Sequence, residues 1–312
     1  MSAIQNRPLD APFVTIDPET GEGTLAIPMG GLPTGEAASP AFELVLSCPT
    51  AGMVFDILPC GVFQARRLRD GSGRVMLWFD RIPSLAGRLL AFEMEMKTTF
   101  KGADFVAELV DDDLVVTFKN GARTLYGKKL RTQATGPVNA DTTEYWTYPV
   151  RHVDASGREL HFQWEDTVAG PRLATVREAR RLVLVAEREG TATDHEGVEG
   201  LLDSPQRVVL FPGSAEQVTY TLTSMPAPTC RRHTIAVSGP GAAATFYLLE
   251  SRMIRLRKFE VSTQPSSGAA EDPPPSIHTE TMEYEGNRIT RHTVQAGAGA
   301  TPVVKEYAVQ SA

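Results

Sequence analysis

His152 and His161 stand nine residues apart, on either side of a turn signal at Ala155–Gly157. Strands pairing about that turn would bring the two imidazoles near each other and near Glu165. A histidine pair can hold a metal or shuttle a proton. No third ligand follows at a diagnostic spacing, so a solvated or hydrogen-bonded strand face is the plainer reading of both. Of the six histidines, at positions 152, 161, 195, 233, 278 and 292, only these two read as sharing a hairpin. Neither a metal site nor a cofactor is therefore expected.

The densest aromatic cluster is Tyr145-Trp146-Thr147-Tyr148. Alternation puts Trp146 and Tyr148 on one side of a strand, where their rings could stack on a sugar or serve as core. Cys230 is followed by Arg231-Arg232-His233, a setting that could activate a thiol, though bystander packing explains it as well. Asp111-Asp112-Asp113 lacks the glycine turn and distal acid of a calcium loop and reads as a solvated turn. Asp194-His195-Glu196 sits in the glycine-rich stretch 190–200 and reads as loop. No GxSxG elbow, phosphate-binding loop or dinucleotide fingerprint is present, and Ser238-Gly239-Pro240-Gly241 is an ordinary loop.

The elements that must position these residues are strands. Leu114, Val116 and Phe118 share one face of a run ending in the turn Asn120-Gly121. Leu160, Phe162 and Trp164 share another, with His161 and Gln163 opposite, and Val218, Tyr220 and Leu222 alternate with threonines. Two stretches mix periods. In 83–97 the second half alternates and is assigned to strand, and in 176–189 the centre Leu182-Val183-Leu184-Val185 suits a buried strand. Turn signals recur at Asp17–Gly21, Asp70–Gly73, Asp154–Gly157, Pro212–Ser214 and Glu285–Asn287. The fold class that follows is all-β, with little helix. It is a curved or wound antiparallel sheet, barrel- or sandwich-like, built of short hairpins.

Four regions are expected: an N-terminal β region over 1–136, a second β region over 137–261, a flexible linker over 262–275 and a β tail over 276–312. The linker rests on Ser262–Pro275, whose Ser, Gly and Pro content comes with no periodic apolar residue. The earlier boundary rests on Gly136-Pro137.

Composition limits function. The 312 residues carry a net charge of −7 spread thinly, and basic residues occur as pairs such as Arg66-Arg67 and Lys128-Lys129. That excludes the concentrated basic face a nucleic-acid binder needs. Three cysteines without CxxC spacing suit a reducing compartment. The opening residues lack the apolar core of a signal peptide, and no run reaches membrane-span length. The chain is expected to start in the cytoplasm, with export by a signal-independent route left open.

A loose unit recurs: an acidic residue, a turn with Gly and Arg or Asn, then an alternating strand. It is seen in DGSGRVML (Asp70–Leu77), DASGRELHF (Asp154–Phe162) and EYEGNRIT (Glu283–Thr290). This unit resembles the hairpins of Rhs/YD-repeat proteins. Tyr148–Val185, with its turn, strand to Trp164 and Pro171-Arg172-Leu173, resembles the N-terminal shell region of bacterial Rhs-type proteins, some of which are labelled sugar-binding. Val14–Pro28 and Val208–Leu222 are similar to the same family. Rhs proteins and the related Tc-toxin components are commonly far longer and close a hollow shell around a toxic segment. Their self-cleavage site has a D-P-x-G context near the end of the core. Here Asp17-Pro18-Glu19-Thr20-Gly21 lies at the other end with one residue too many, so no autoprotease is carried over.

The resemblance implies a non-enzymatic shell or scaffold segment of a polymorphic-toxin or secreted-protein system. Its partner would be a polypeptide, or a second copy meeting through sheet edges. Two alternatives stand beside it. One is a carbohydrate-binding β module using Trp146, Tyr148 and Trp164. The other is an enzyme with its site inside a β-barrel or between β-sandwich domains.

Overall fold

The computed structural model describes residues 12–18, 20–31, 43–51, 55–59, 64–69, 75–80, 90–94, 99–101, 105–110, 113–132, 143–167, 170–188, 204–226, 230–239, 244–252, 255–264, 276–297 and 299–307. Among them the protein is all β. There is no helix, the strands pair antiparallel, and no sheet is closed into a barrel. No helix of the described residues is long and apolar enough to cross a membrane. The turn signal at 70–73, the first half of 83–97, Asp111, Asp112, Asp194–Glu196 and Gly136-Pro137 lie outside the described residues.

The chain divides into two compact units, one of residues 1–30, 45–57 and 184–312, the other of 31–44 and 58–183. The first unit holds an unbroken meander. Arg181–Glu187, Arg207–Leu210, Val218–Pro226, Arg231–Ser238, Ala244–Arg252, Arg255–Gln264, Ser276–Glu285, Arg288–Gln295 and Val303–Glu306 each pair with the next. The run Leu182–Val185 is strand, and Val183 and Leu184 are buried. A four-stranded sheet ordered Val14–Ile16, Gly23–Gly31, Glu43–Pro49, Asp56–Pro59 supplies the second layer. Its buried residues Val14, Leu25, Ile27, Met29, Leu46, Cys48, Phe55 and Ile57 share a core with Tyr247, Leu249, Leu256, Phe259 and Val261 of the meander. Backbone bonds stitch the layers together, from Leu256 N–H to Thr50 O and from Ile289 N–H to Gly21 O. Tyr220 donates its hydroxyl to Met29 O. Period-two alternation hides one apolar face of each sheet, which is why two layers suffice.

Pairing continues into the segment read as a linker. Ser262 is buried and pairs with both Phe246 and Ser276, so regular sheet runs to Gln264 and resumes at Ser276. Residues 265–275 lie outside the described residues.

In the second unit, Phe105–Val110, Asp113–Phe118, Arg123–Thr132, Thr143–Val153, Glu159–Thr167 and Gly170–Glu178 form a meander. Thr143–Val153 is shared. One edge pairs with Arg123–Thr132, while the other pairs with Gln64–Arg69 through Thr143–Thr147 and with Glu159–Thr167 through Arg151–Val153. Pro149 sits at an irregularity of this ladder, where its missing N–H breaks no regular pair. Strand Leu90–Met94 pairs with Val75–Asp80, so the described part of 83–97 is strand, and residues 95–97 lie outside the described residues.

Candidate functional site

The hairpin Ser276–Glu285/Arg288–Gln295 turns at Gly286, whose φ of +60° suits a residue without a Cβ. Along its first strand, period two sends His278, Glu280 and Met282 to the core face together. On the second strand Glu283 pairs with Arg291 but Tyr284 pairs with Ile289, leaving Thr290 as an extra, bulged residue. The bulge shifts the phase, so His292 and Val294 face inward as Ile289 does. His292 pairs with Met282 and thereby lies diagonal to Glu280.

These residues form one closed cluster. His278 donates from Nε2 to Glu280 Oε1 over 2.7 Å, and His292 donates from Nε2 to Oε2 over 2.7 Å. Two backbone donors complete the set. Phe13 N–H reaches Oε1 at 2.5 Å and Val14 N–H reaches Oε2 at 3.2 Å. His278 and Glu280 are 0% exposed and His292 is 2%. Burial is the largest influence on Glu280 and favours its neutral form. The bonds from His278, His292 and Phe13, with the charge on His292, outweigh it and hold the carboxyl at about 2. The carboxylate is therefore ionised at neutral pH. It carries four donors, two on each oxygen, near the capacity of such a group. Phe13, the residue it anchors, packs its ring on His278 at 5.0 Å and on Phe259 at 5.2 Å.

Chemically, a carboxylate saturated in this way is a fastener. Its oxygens are committed to N–H donors, and no group of three or more His, Cys, Asp or Glu is placed to hold a metal ion among the described residues. Alternation alone finds His278 and Glu280 on one face, and the Glu285-Gly286-Asn287 signal finds the hairpin. The bulge at Thr290 is what hides His292 from a count of alternation.

His152 and His161 are not brought together. His152 pairs with Leu160, and His161 pairs with Arg151, so the two imidazoles leave opposite faces of the sheet. His152 is buried and shares a hydrogen bond between its Nδ1 and Thr124 Oγ1 at 2.9 Å. Burial pulls it down to about 4, against the opposing field of Asp154. His161 is exposed, with Nε2 2.5 Å from Glu159, whose carboxylate also takes Arg151. The turn between the strands is made by Asp154, whose Oδ1 accepts from the N–H groups of Ser156 and Arg158.

Tyr148 is buried against Trp164, with ring centroids 4.9 Å apart. The indole N–H of Trp164 donates to Pro149 O at 2.6 Å. Trp164 keeps the Leu160–Phe162 face, opposite buried Leu173 where Ala174 bulges from the partner strand, but it is half-buried where alternation predicts full burial. The side chain of Trp146 lies outside the described residues. His233 is buried beside Ser251, its Nε2 3.1 Å from the hydroxyl, and burial lowers it to about 4. Cys230, free and half-buried, precedes that strand.

No protein-family model matches the chain, and no curated protein matches it.

Proposed function

We propose that this protein is a non-enzymatic, Rhs-like shell or scaffold segment that works by contacting a polypeptide in a polymorphic-toxin or secreted-protein system. One observation carries the reading. Among the described residues, the titratable cluster of His278, Glu280 and His292 is buried and spent on holding two β layers together. The other buried histidines among the described residues, His152 and His233, are also hydrogen-bonded inside the sheet. These buried side chains act as internal fasteners, as a load-carrying sheet requires. The short strand Val303–Glu306 supports the polypeptide partner. All four of its side chains are exposed, Val303 at 59% and Val304 at 44%.

The test is co-expression with the product of an adjacent toxin gene, followed by size exclusion at matched concentration. A stoichiometric complex that Val304→Lys weakens supports the scaffold. Co-elution of neither chain with the other, together with binding on a glycan array that Trp164→Ala removes, overturns it in favour of the carbohydrate module.

A further inference from the structure

Val14–Ile16 is a three-residue strand, paired with Gly23–Gly31 through Val14↔Leu25, Thr15↔Thr24 and Ile16↔Gly23. One further bond, Ala26 N–H to Phe13 O, extends that ladder. On the opposite side it has the carboxylate of Glu280, 267 residues away, where a neighbouring strand would otherwise stand. Successive N–H groups of a regular strand point to opposite edges. Those of Phe13 and Val14 converge on one anion because the backbone bends at Phe13. Two consecutive N–H groups aimed at one point form a small anion-holding concavity, and here the anion is part of the protein.

The two sides of this contact differ in how firmly they are built. Ser276–Glu285, which carries Glu280, pairs with Arg255–Gln264 on one edge and Arg288–Gln295 on the other. It cannot leave without breaking two long ladders. Among the described contacts, residues 12–16 are held by one short ladder, the Glu280 bonds and the ring contacts of Phe13. Openings begin where few bonds must break. The ring of Phe13 then comes away from Tyr247, Phe259 and His278.

We infer that Glu280 is a releasable clasp: residues 12–16 open as a unit when its carboxylate is lost, while the hairpin that carries it stays folded. The opened state presents an aromatic recess lined by Tyr247, Phe259 and His278 on an otherwise intact sheet. His278 and His292 are positioning residues in this device. Each holds one carboxylate oxygen in line with a backbone N–H, and neither touches residues 12–16 by a hydrogen bond of its own among those described.

Hydrogen exchange of the full chain, read by mass spectrometry, tests this directly. In the wild-type protein, peptides covering 12–16 should exchange through an opening that denaturant accelerates weakly. Peptides covering 244–264 and 276–295 should exchange through a strongly denaturant-dependent one. In Glu280→Gln, exchange at 12–16 should rise by at least about tenfold, the factor expected for losing one charge-assisted bond, and stay weakly denaturant-dependent, while 244–264 should keep a strongly denaturant-dependent opening. His292→Gln retains a side-chain donor and should give a smaller rise in the same peptide. The clasp is overturned if 12–16 and 276–295 share one opening in the wild-type protein. It is equally overturned if Glu280→Gln merges these peptides into one strongly denaturant-dependent opening or leaves 12–16 unchanged. The wild-type measurement decides the matter even where a variant fails to fold.

Discussion

His292 donates to Glu280 Oε2 over 2.7 Å from the strand on the far side of a hairpin, although alternation counted from Ile289 would turn it to solvent. The bulged Thr290 makes the contact. A single extra residue thus brings Ile289 and His292 to the same face. Deleting Thr290 should leave His292 two residues from Ile289 in a regular ladder and still facing inward, and so should cost little more stability than its replacement by Ser, which keeps the bulge. Chemical denaturation of the two variants compares them.

Glu280 should dominate the response to acid. Its folded value of about 2 lies below the ordinary 4.5. The stabilisation is therefore complete above about pH 4.5 and is lost as the pH falls toward 2. Removing one partner of a buried charge cluster costs about 3 kcal/mol, and Glu280→Gln should lower neutral-pH stability by that order. The variant should also show a flatter stability profile between pH 5 and 2 than the wild type. Urea midpoints measured across that range check both statements. Parallel profiles would remove Glu280 from the account.

His152 and His233 should behave in the opposite manner to exposed histidines. Each is lowered from 6.5 to about 4, chiefly by burial. The unfolded chain then binds more protons than the folded one between these values, so both sites contribute stability above pH 6.5 that fades as the pH falls toward 4. Their imidazole resonances should stay those of the neutral ring from pH 8 to pH 5.5. A midpoint near 6.5 for either ring would show that it is open to water.

Much of this architecture was legible in the chain. Leu160 and Phe162 alternate into the core, Leu182–Val185 forms a strand, and Glu285-Gly286-Asn287 marks a hairpin turn. These depend on residues close in sequence, where period and turn chemistry act. Pairing between distant segments leaves no such trace. Nothing near Phe13 announces Glu280, because its contribution is two backbone N–H groups that every non-proline residue owns. Bulges hide in the same way. The irregularity beside Trp164 and the extra Thr290 each shift the facing of side chains without a glycine or proline at the spot. His152 and His161 lie on adjacent strands, as their spacing suggests, yet a one-residue difference in register puts them on opposite faces.

Trp164 is half-buried against Tyr148 and hydrogen-bonded to Pro149 O, so its packing and its hydrogen bond can be measured apart. Full truncation of a buried Trp costs about 3–5 kcal/mol, so Trp164→Ala, half-exposed at the outset, should cost about 2 kcal/mol. Trp164→Phe keeps the ring against Tyr148 and loses the bond to Pro149 O, for about 1 kcal/mol. Equilibrium denaturation of the pair separates packing from hydrogen bonding. Equal losses in both variants would mean that the bond, and not the ring, is what matters.

Ala179 is the first residue of the two-residue turn between Gly170–Glu178 and Arg181–Glu187, and it has a φ of 51°. A left-handed conformation costs a residue with a Cβ roughly 1 kcal/mol, through the approach of that atom to the carbonyl oxygen. The side chain is exposed, so the methyl group returns no burial to offset the strain. Glycine relieves the strain but gains more freedom in the unfolded chain, which takes back part of the benefit. Ala179→Gly should therefore stabilise the protein by about 0.5 kcal/mol, the remainder of those two effects. Ala179→Val, whose branched side chain tolerates positive φ worst, should destabilise it by more than that. Thermal melts of the three proteins should rank them Gly, Ala, Val. A glycine variant less stable than the parent would show that the turn relaxes out of the left-handed region in solution.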